Sequence, residues 1–126
     1  MEPLKIEPTL KTPYILFDAS TGIFDIKGMS CAEYAREFYA PINEWLDSYS
    51  KNPLSETIVN IQFKYFNTSS AKSLLLLLQK LKAIKSNGYN VAINWFYEKN
   101  DEQMIQDGEN YSEILSLPFN LKEIEQ

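Results

Sequence analysis

The sequence predicts an α/β domain, a mixed β-sheet of about four strands packed with three main helices. Three observations carry this reading. Runs with two-residue alternation or continuous apolar character take turns along the chain with runs at helical spacing. The connections between them are short, and no internal repeat, low-complexity stretch or linker divides the 126 residues. Helices interleaved with strands imply a sandwiched, mostly mixed sheet. The length suits one domain over residues 1–126, large enough to bury a real core.

Residues 1–13 carry Pro3, Pro8 and Pro13 and read as an irregular lead-in. Tyr14 to Asp18 reads as a strand, Ala19-Ser20-Thr21-Gly22 as a turn, and Ile23 to Lys27 as the hairpin partner. In that partner Ile23, Asp25 and Lys27 alternate with Phe24 and Ile26, which predicts one wet face. Ser30-Cys31-Ala32-Glu33 has the form of a capping box, with Ser30 and Glu33 closing reciprocal bonds at a helix start. Behind it Ala35, Phe38, Ile42, Trp45, Leu46 and Tyr49 recur at helical spacing, and Pro41 predicts a kink or a restart.

Thr57 to Lys64 reads as the central strand, with Val59, Ile61 and Phe63 on one face and Ile58, Asn60 and Gln62 on the other. The helix after Thr68 carries Leu74, Leu77, Leu78, Leu81 and Ile84 as one broad stripe. Leu75 and Leu76 widen it beyond what one sheet face needs, so the helix is either nearly enclosed or covered in part by a partner. Lys80, Lys82 and Lys85 suit the negative end of its dipole, and Asn87-Gly88 supplies a left-handed stop. Val91 to Tyr97 has few polar interruptions, as a strand covered on both faces would. Asn100 then opens a helix to about Leu115. Gly108 in its middle marks close packing or a break, and Pro118 ends it.

Composition removes many functions. With no histidine there is no Ser-His-Asp triad, no Cys-His pair and no histidine-ligated zinc. One cysteine, Cys31, excludes an internal disulfide and a cysteine-cluster metal site; a helix start there would lower its thiol pKa, but with no basic neighbour in view it reads as a buried or inert thiol. The four glycines are too scattered to cradle a phosphate, and no loop has EF-hand spacing, so neither a cofactor nor a metal is implied. Residues 98–126 hold eight acids and two bases, which disfavours nucleic acid and anionic membranes and suits a protein partner. Taken singly, those acids also serve solubility, and Asp101 and Glu102 suit a helix start. Met1 to Lys5 lacks the apolar core of a signal peptide, and Leu74 to Leu78, the longest apolar run, is far too short to span a membrane. These features predict a cytoplasmic protein and disfavour an enzyme, with lysine- or carboxylate-based chemistry left open.

The most informative stretch joins the central strand to the leucine helix. Asn67, Thr68, Ser69 and Ser70 are all good helix caps, and three of them carry hydroxyls. A phosphate placed there would meet free backbone N–H groups and the positive end of the helix dipole. The same residues are also what any helix start prefers, and Asn67-Thr68-Ser69 fits the N-glycosylation pattern.

Several blocks in order resemble the SiaC family of bacterial regulatory phosphoproteins across nearly the whole chain. They are Thr12-Pro13 with Phe17-Asp18, Ala35 to Tyr39 (AREFY) with Trp45-Leu46, Tyr65 to Ser70 (YFNTSS), Asn94 to Glu98 (NWFYE), and Gly108-Glu109 with Pro118-Phe119. YFNTSS is the most specific. Ala32 departs from the family's frequent proline just before the glutamate of the first helix. The resemblance implies a STAS-like domain, similar to anti-sigma-factor antagonists, in which a hydroxyl at a helix N-terminus is the regulatory phosphosite. It implies a cognate Ser/Thr protein kinase, a PP2C-type phosphatase, and a diguanylate cyclase bound and activated by the unphosphorylated form, with cyclic di-GMP and biofilm or aggregation downstream. By residue matching the acceptor is Thr68, with Ser69 and Ser70 as fallbacks. Asn67 is a positioning or capping residue, and Lys72, Leu75 and Leu76 complete the partner-binding set. Two other classes stay open: a partner-switching module whose target is a kinase alone, and a small enzyme or ligand binder built on carboxylates such as Asp18, Asp25 or Glu98 near aromatic walls.

Overall fold

The computed structural model describes residues 1–124. Its elements follow the order β1 Leu4–Ile6, β2 Tyr14–Asp18, β3 Ile23–Ser30, α1 Ala35–Tyr49, β4 Glu56–Phe66, α2 Thr68–Ser86, β5 Asn90–Tyr97, α3 Glu102–Leu115 and β6 Phe119–Glu123. All six strands form one sheet in the order of the sequence. β1 and β2 pair antiparallel, as do β2 and β3, while β3 to β6 run parallel. The sheet is mixed, as the alternating pattern predicts, but it has six strands where the sequence suggests about four. β1 lies inside the stretch read as an irregular lead-in, and β6 follows Pro118.

Each parallel crossover steps one strand in the same direction. Right-handed connections of that kind put all three helices on one face of the sheet. Ile15 and Phe17, Phe24 and Ile26, Val59, Ile61 and Phe63, and Val91, Ile93 and Trp95 all point to that face and are buried with the helices' apolar sides. The opposite face carries Tyr14, Leu16, Ile23, Asp25, Ile58, Asn60, Gln62, Ala92, Asn94 and Phe96, none of them fully buried. The expectation that β5 is covered on both faces is therefore corrected: the sandwich has two layers. On the open face Asn120 donates to Asn94 at 3.1 Å, Asn94 to Asn60 at 2.9 Å, and Asn60 to Asp25 at 2.9 Å. This amide ladder lets polar side chains lie flat across β3 to β6, because each amide supplies one donor and one acceptor.

The capping box is also corrected. Ser30 ends β3, opposite Phe66 of β4, and α1 begins at Ala35 after Tyr34, with no side-chain cap. A register shift at Gly28/Met29 carries β3 three residues beyond Lys27, and Cys31 N–H is held by the Lys11 carbonyl. Pro41 lies within α1 on its exposed side and interrupts no element. On that helix Tyr39 joins Ala35, Ile42, Leu46 and Tyr49 in the core, whereas Phe38 and Trp45 are only partly buried. Gly22 holds φ at +74°, and a β-carbon there would stand 2.5 Å from the Glu56 carbonyl oxygen, so the tight hairpin turn requires glycine.

Candidate functional site

β3, β4 and β5 end side by side, and the segments that follow them lead into the three helices. Because the strand order never reverses, this edge has no topological switch point, the usual place where open α/β sheets hold ligands. It presents instead the first turn of α2. Asn67 is its N-cap: Ser70 N–H donates to Asn67 Oδ1 at 2.8 Å. Ala71 N–H donates to the Asn67 carbonyl at 2.9 Å. The N–H groups of Thr68 and Ser69 thus remain the orphan donors of the helix start.

Thr68 and Ser69 are exposed, whereas Ser70 is 1% exposed. The inclusion of Ser70 as a fallback acceptor and as a partner-binding residue is corrected, because its hydroxyl faces the interior. Ser70 Oγ accepts from Ser30 Oγ at 2.9 Å, and Ser30 Oγ lies 2.7 Å from Tyr39 Oη. Neither Ser30 nor Tyr39 was read from the sequence as part of the site. The available signal was Tyr39's place on the face of Ala35, Ile42 and Leu46, which puts a phenol where a core side chain belongs.

At about 100° per residue, Thr68, Lys72, Leu76 and Gln79 fall on the side of α2 away from its buried Leu74, Leu77, Leu81 and Ile84. Lys72 is exposed, Leu76 is 47% exposed, and Leu75 is half-buried against the core. The helix is therefore neither enclosed nor broadly apolar outside; its outer face offers one leucine beside a hydroxyl and an ammonium group. Beside Thr68 opens a depression of about 350 Å³, with Lys64, Tyr65, Asn67, Met104, Asp101 and Asp107 among its walls. Asp101 caps α3 by accepting Met104 N–H at 3.1 Å, and Tyr111 Oη donates to the Ala71 carbonyl at 2.9 Å, tying α3 to the first turn of α2.

The carboxylates considered for an enzyme do not converge. Asp18 sits in the β2–β3 turn, where it accepts from Ser20 N–H at 2.9 Å and Ser20 Oγ at 2.7 Å. Those bonds lower its pKa below the usual carboxylate range and keep it ionised. Asp25 lies in mid-strand on the open face, bonded to Asn60, and Glu98 is exposed beyond β5. Among the described residues, no group of three His, Cys, Asp or Glu side chains could hold a metal ion, and no helix is long and apolar enough to cross a membrane.

Comparison with known proteins matches residues 6–124 to the family described as SiaC family regulatory phosphoprotein. An uncharacterized protein of Pseudomonas aeruginosa is 26% identical over 122 residues, covering 97% of each chain. The crystal structure of apo-SiaC from Pseudomonas aeruginosa superposes with a TM-score of 0.88 at 25% identity, covering 97% of this chain and 99% of that one. SiaC of the same organism in complex with the diguanylate cyclase SiaD, of which it is the activator, gives a TM-score of 0.89 at 26% identity, covering 96% of this chain and 99% of that one.

Proposed function

Since the chain belongs to the SiaC family of regulatory phosphoproteins, we propose that it is a non-enzymatic, cytoplasmic signalling domain that binds and activates a diguanylate cyclase until Thr68 is phosphorylated. A cognate Ser/Thr kinase adds the phosphate and a PP2C-type phosphatase removes it. The observation that carries this reading is the placement of Thr68: an exposed hydroxyl at the first position of a 19-residue helix whose next turn is anchored in the core.

The physics of that position separates folding from binding. A phosphothreonine adds about −1.5 to −2 charge. At the start of α2 it meets the free N–H groups of Thr68 and Ser69 and the positive end of the dipole, worth about 0.3–1 kcal/mol to the fold. The neighbouring depression offers it both Lys64, which attracts it, and Asp101 and Asp107, which repel it, while the exposed helix start leaves the dianion open to whatever docks on Thr68, Lys72 and Leu76. A docked surface without a matching cation must strip its water, at several kcal/mol. A loss of about 4 kcal/mol turns a micromolar complex into a millimolar one. The fold persists while the partner leaves.

Calorimetric titration of the cyclase with unmodified and Thr68-phosphorylated protein tests the reading. Thr68→Ala should bind like the unmodified protein, and Thr68→Asp should bind more weakly with no loss of Tm. Equal affinity of the two phosphorylation states would overturn the switch. Co-purification from the native cell of a kinase and no cyclase would instead favour a partner-switching module.

A further inference from the structure

Three neighbouring hydroxyls open α2, yet only two of them face a kinase. Ser70 is withheld by a buried chain of bonds that runs through three elements. Ser30 donates its single hydroxyl hydrogen to Ser70 Oγ at 2.9 Å, so in its 2.7 Å contact with Tyr39 the phenol must be the donor. Burial pushes the Tyr39 pKa up to about 12, and the phenol keeps the proton it donates across the physiological range. The relay therefore has one direction, from Tyr39 on α1 through Ser30 at the end of β3 to Ser70 on α2. Its backbone is pinned as well. Asn67 N–H donates to the Ser30 carbonyl at 3.0 Å, and Ser70 N–H donates to Asn67 Oδ1 at 2.8 Å. Ser30, Tyr39 and Ser70 are each about 1% exposed, so none of these bonds has water as a ready substitute.

We infer that Tyr39 and Ser30 are positioning residues that select the phosphoacceptor, holding Ser70 inward and thereby fixing the rotation of the first turn of α2 that presents Thr68. This rests on the reading of Thr68 as the acceptor. Phosphoryl transfer needs the attacking oxygen about 3–3.5 Å from phosphorus and in line with the leaving group. Ser70 reaches that geometry only by leaving the relay and unwinding the turn. Without the relay, the turn frays more often and Ser70 competes.

The test is phosphosite mapping of the full chain recovered from its native cell, for wild type, Tyr39→Phe and Ser30→Ala, together with amide hydrogen exchange of each purified protein. The expected result is phosphate on Thr68 in wild type and a rise of about fivefold in the Ser70-to-Thr68 phosphate ratio in Ser30→Ala, the effect of losing the buried hydrogen bond to Ser70, with a smaller rise in Tyr39→Phe, which loosens Ser30 but keeps that bond. Exchange at Ser70 and Ala71 should accelerate by a similar factor, while Leu77 to Leu81 in mid-helix stay protected. A role confined to stability would lower the Tm and leave the phosphate ratio where it was. Phosphate on Thr68 with an unchanged ratio in Ser30→Ala, the variant that removes the bond to Ser70, would overturn the positioning role alone. Phosphate on Ser70 with Thr68 bare in wild type would overturn both the positioning role and the Thr68 reading.

Discussion

Gly108→Ala should destabilise the protein although it replaces a poor helix former with the best one. Gly108 lies in the middle of α3, where alanine would ordinarily gain about 0.8–1 kcal/mol. Here the new β-carbon would stand 2.6 Å from Cδ1 and 2.8 Å from Nε1 of Trp95, and 2.9 Å from Cδ2 of Leu121. Carbon atoms rest about 3.5–4.0 Å apart, so something must yield by about 0.9 Å. The indole cannot turn aside, because it is fully buried among Phe63, Phe66, Tyr111 and Phe119. Its Nε1 also donates to the Met104 carbonyl at 2.9 Å, one turn before Gly108. Overpacking of this kind costs about 1–3 kcal/mol, and straining the indole bond adds about 1 kcal/mol. Set against the helix gain, the net loss is about 1–3 kcal/mol, a drop in Tm of about 4 °C for each kcal/mol in a chain of this size. Urea denaturation would show it as a lower midpoint at unchanged slope. A Gly108→Ala protein as stable as wild type would mean that α3 does not press on Trp95, and the account of this helix would fail.

Asn67→Ala should cost about 1–2 kcal/mol in the same assay, because it removes the N-cap of α2; Asn67→Asp, which keeps an acceptor and adds charge at the positive end of the dipole, should stay within about 0.5 kcal/mol of wild type. If alanine and aspartate behave alike, the cap is not what holds that turn. At alkaline pH the buried phenols set the trend. Tyr39 is pushed up to about 12 by burial, against about 10 in the unfolded chain, and burial with the nearby Asp107 charge raises Tyr111 as well. Below pH 10 both states keep these protons, so the contribution is complete. Above pH 10 the unfolded chain releases them first and stability falls, for Tyr39 by about 1.4 kcal/mol per pH unit up to pH 12. Tyr39→Phe should therefore lose less stability than wild type between pH 10 and 11, and parallel curves would refute the assignment.

The hairpin, the central strand and the leucine helix were legible because their signals are local. Val59, Ile61 and Phe63 alternate with polar neighbours, and Leu74, Leu77, Leu78, Leu81 and Ile84 repeat at helical spacing; all eight are buried. The edge strands were not. β1 is three residues between prolines, and β6 is FNLKE, three of its five residues charged or polar, so neither carries a period long enough to read. Ser30-Cys31-Ala32-Glu33 misled for the opposite reason: its local pattern is good, but Ser30 finds a cross-strand neighbour in Phe66 and a buried partner in Ser70. The run Val91 to Tyr97 looked doubly covered because Ala92 and Phe96 are apolar, yet both lie on the open face with Asn94 between them.

Sequence alone determined the class of the fold, the absence of imidazole chemistry, and the cluster of cap-forming hydroxyls between β4 and α2, since each depends on composition or on neighbours within a few residues. Which of those hydroxyls faces outward was decided by tertiary structure. Ser70 points inward, bonded to Ser30 and through it linked to Tyr39, 40 and 31 positions away along the chain, while Thr68 lies on the outer side of the same turn. A hydrogen bond made only when three elements meet leaves no trace in the spacing of any one of them.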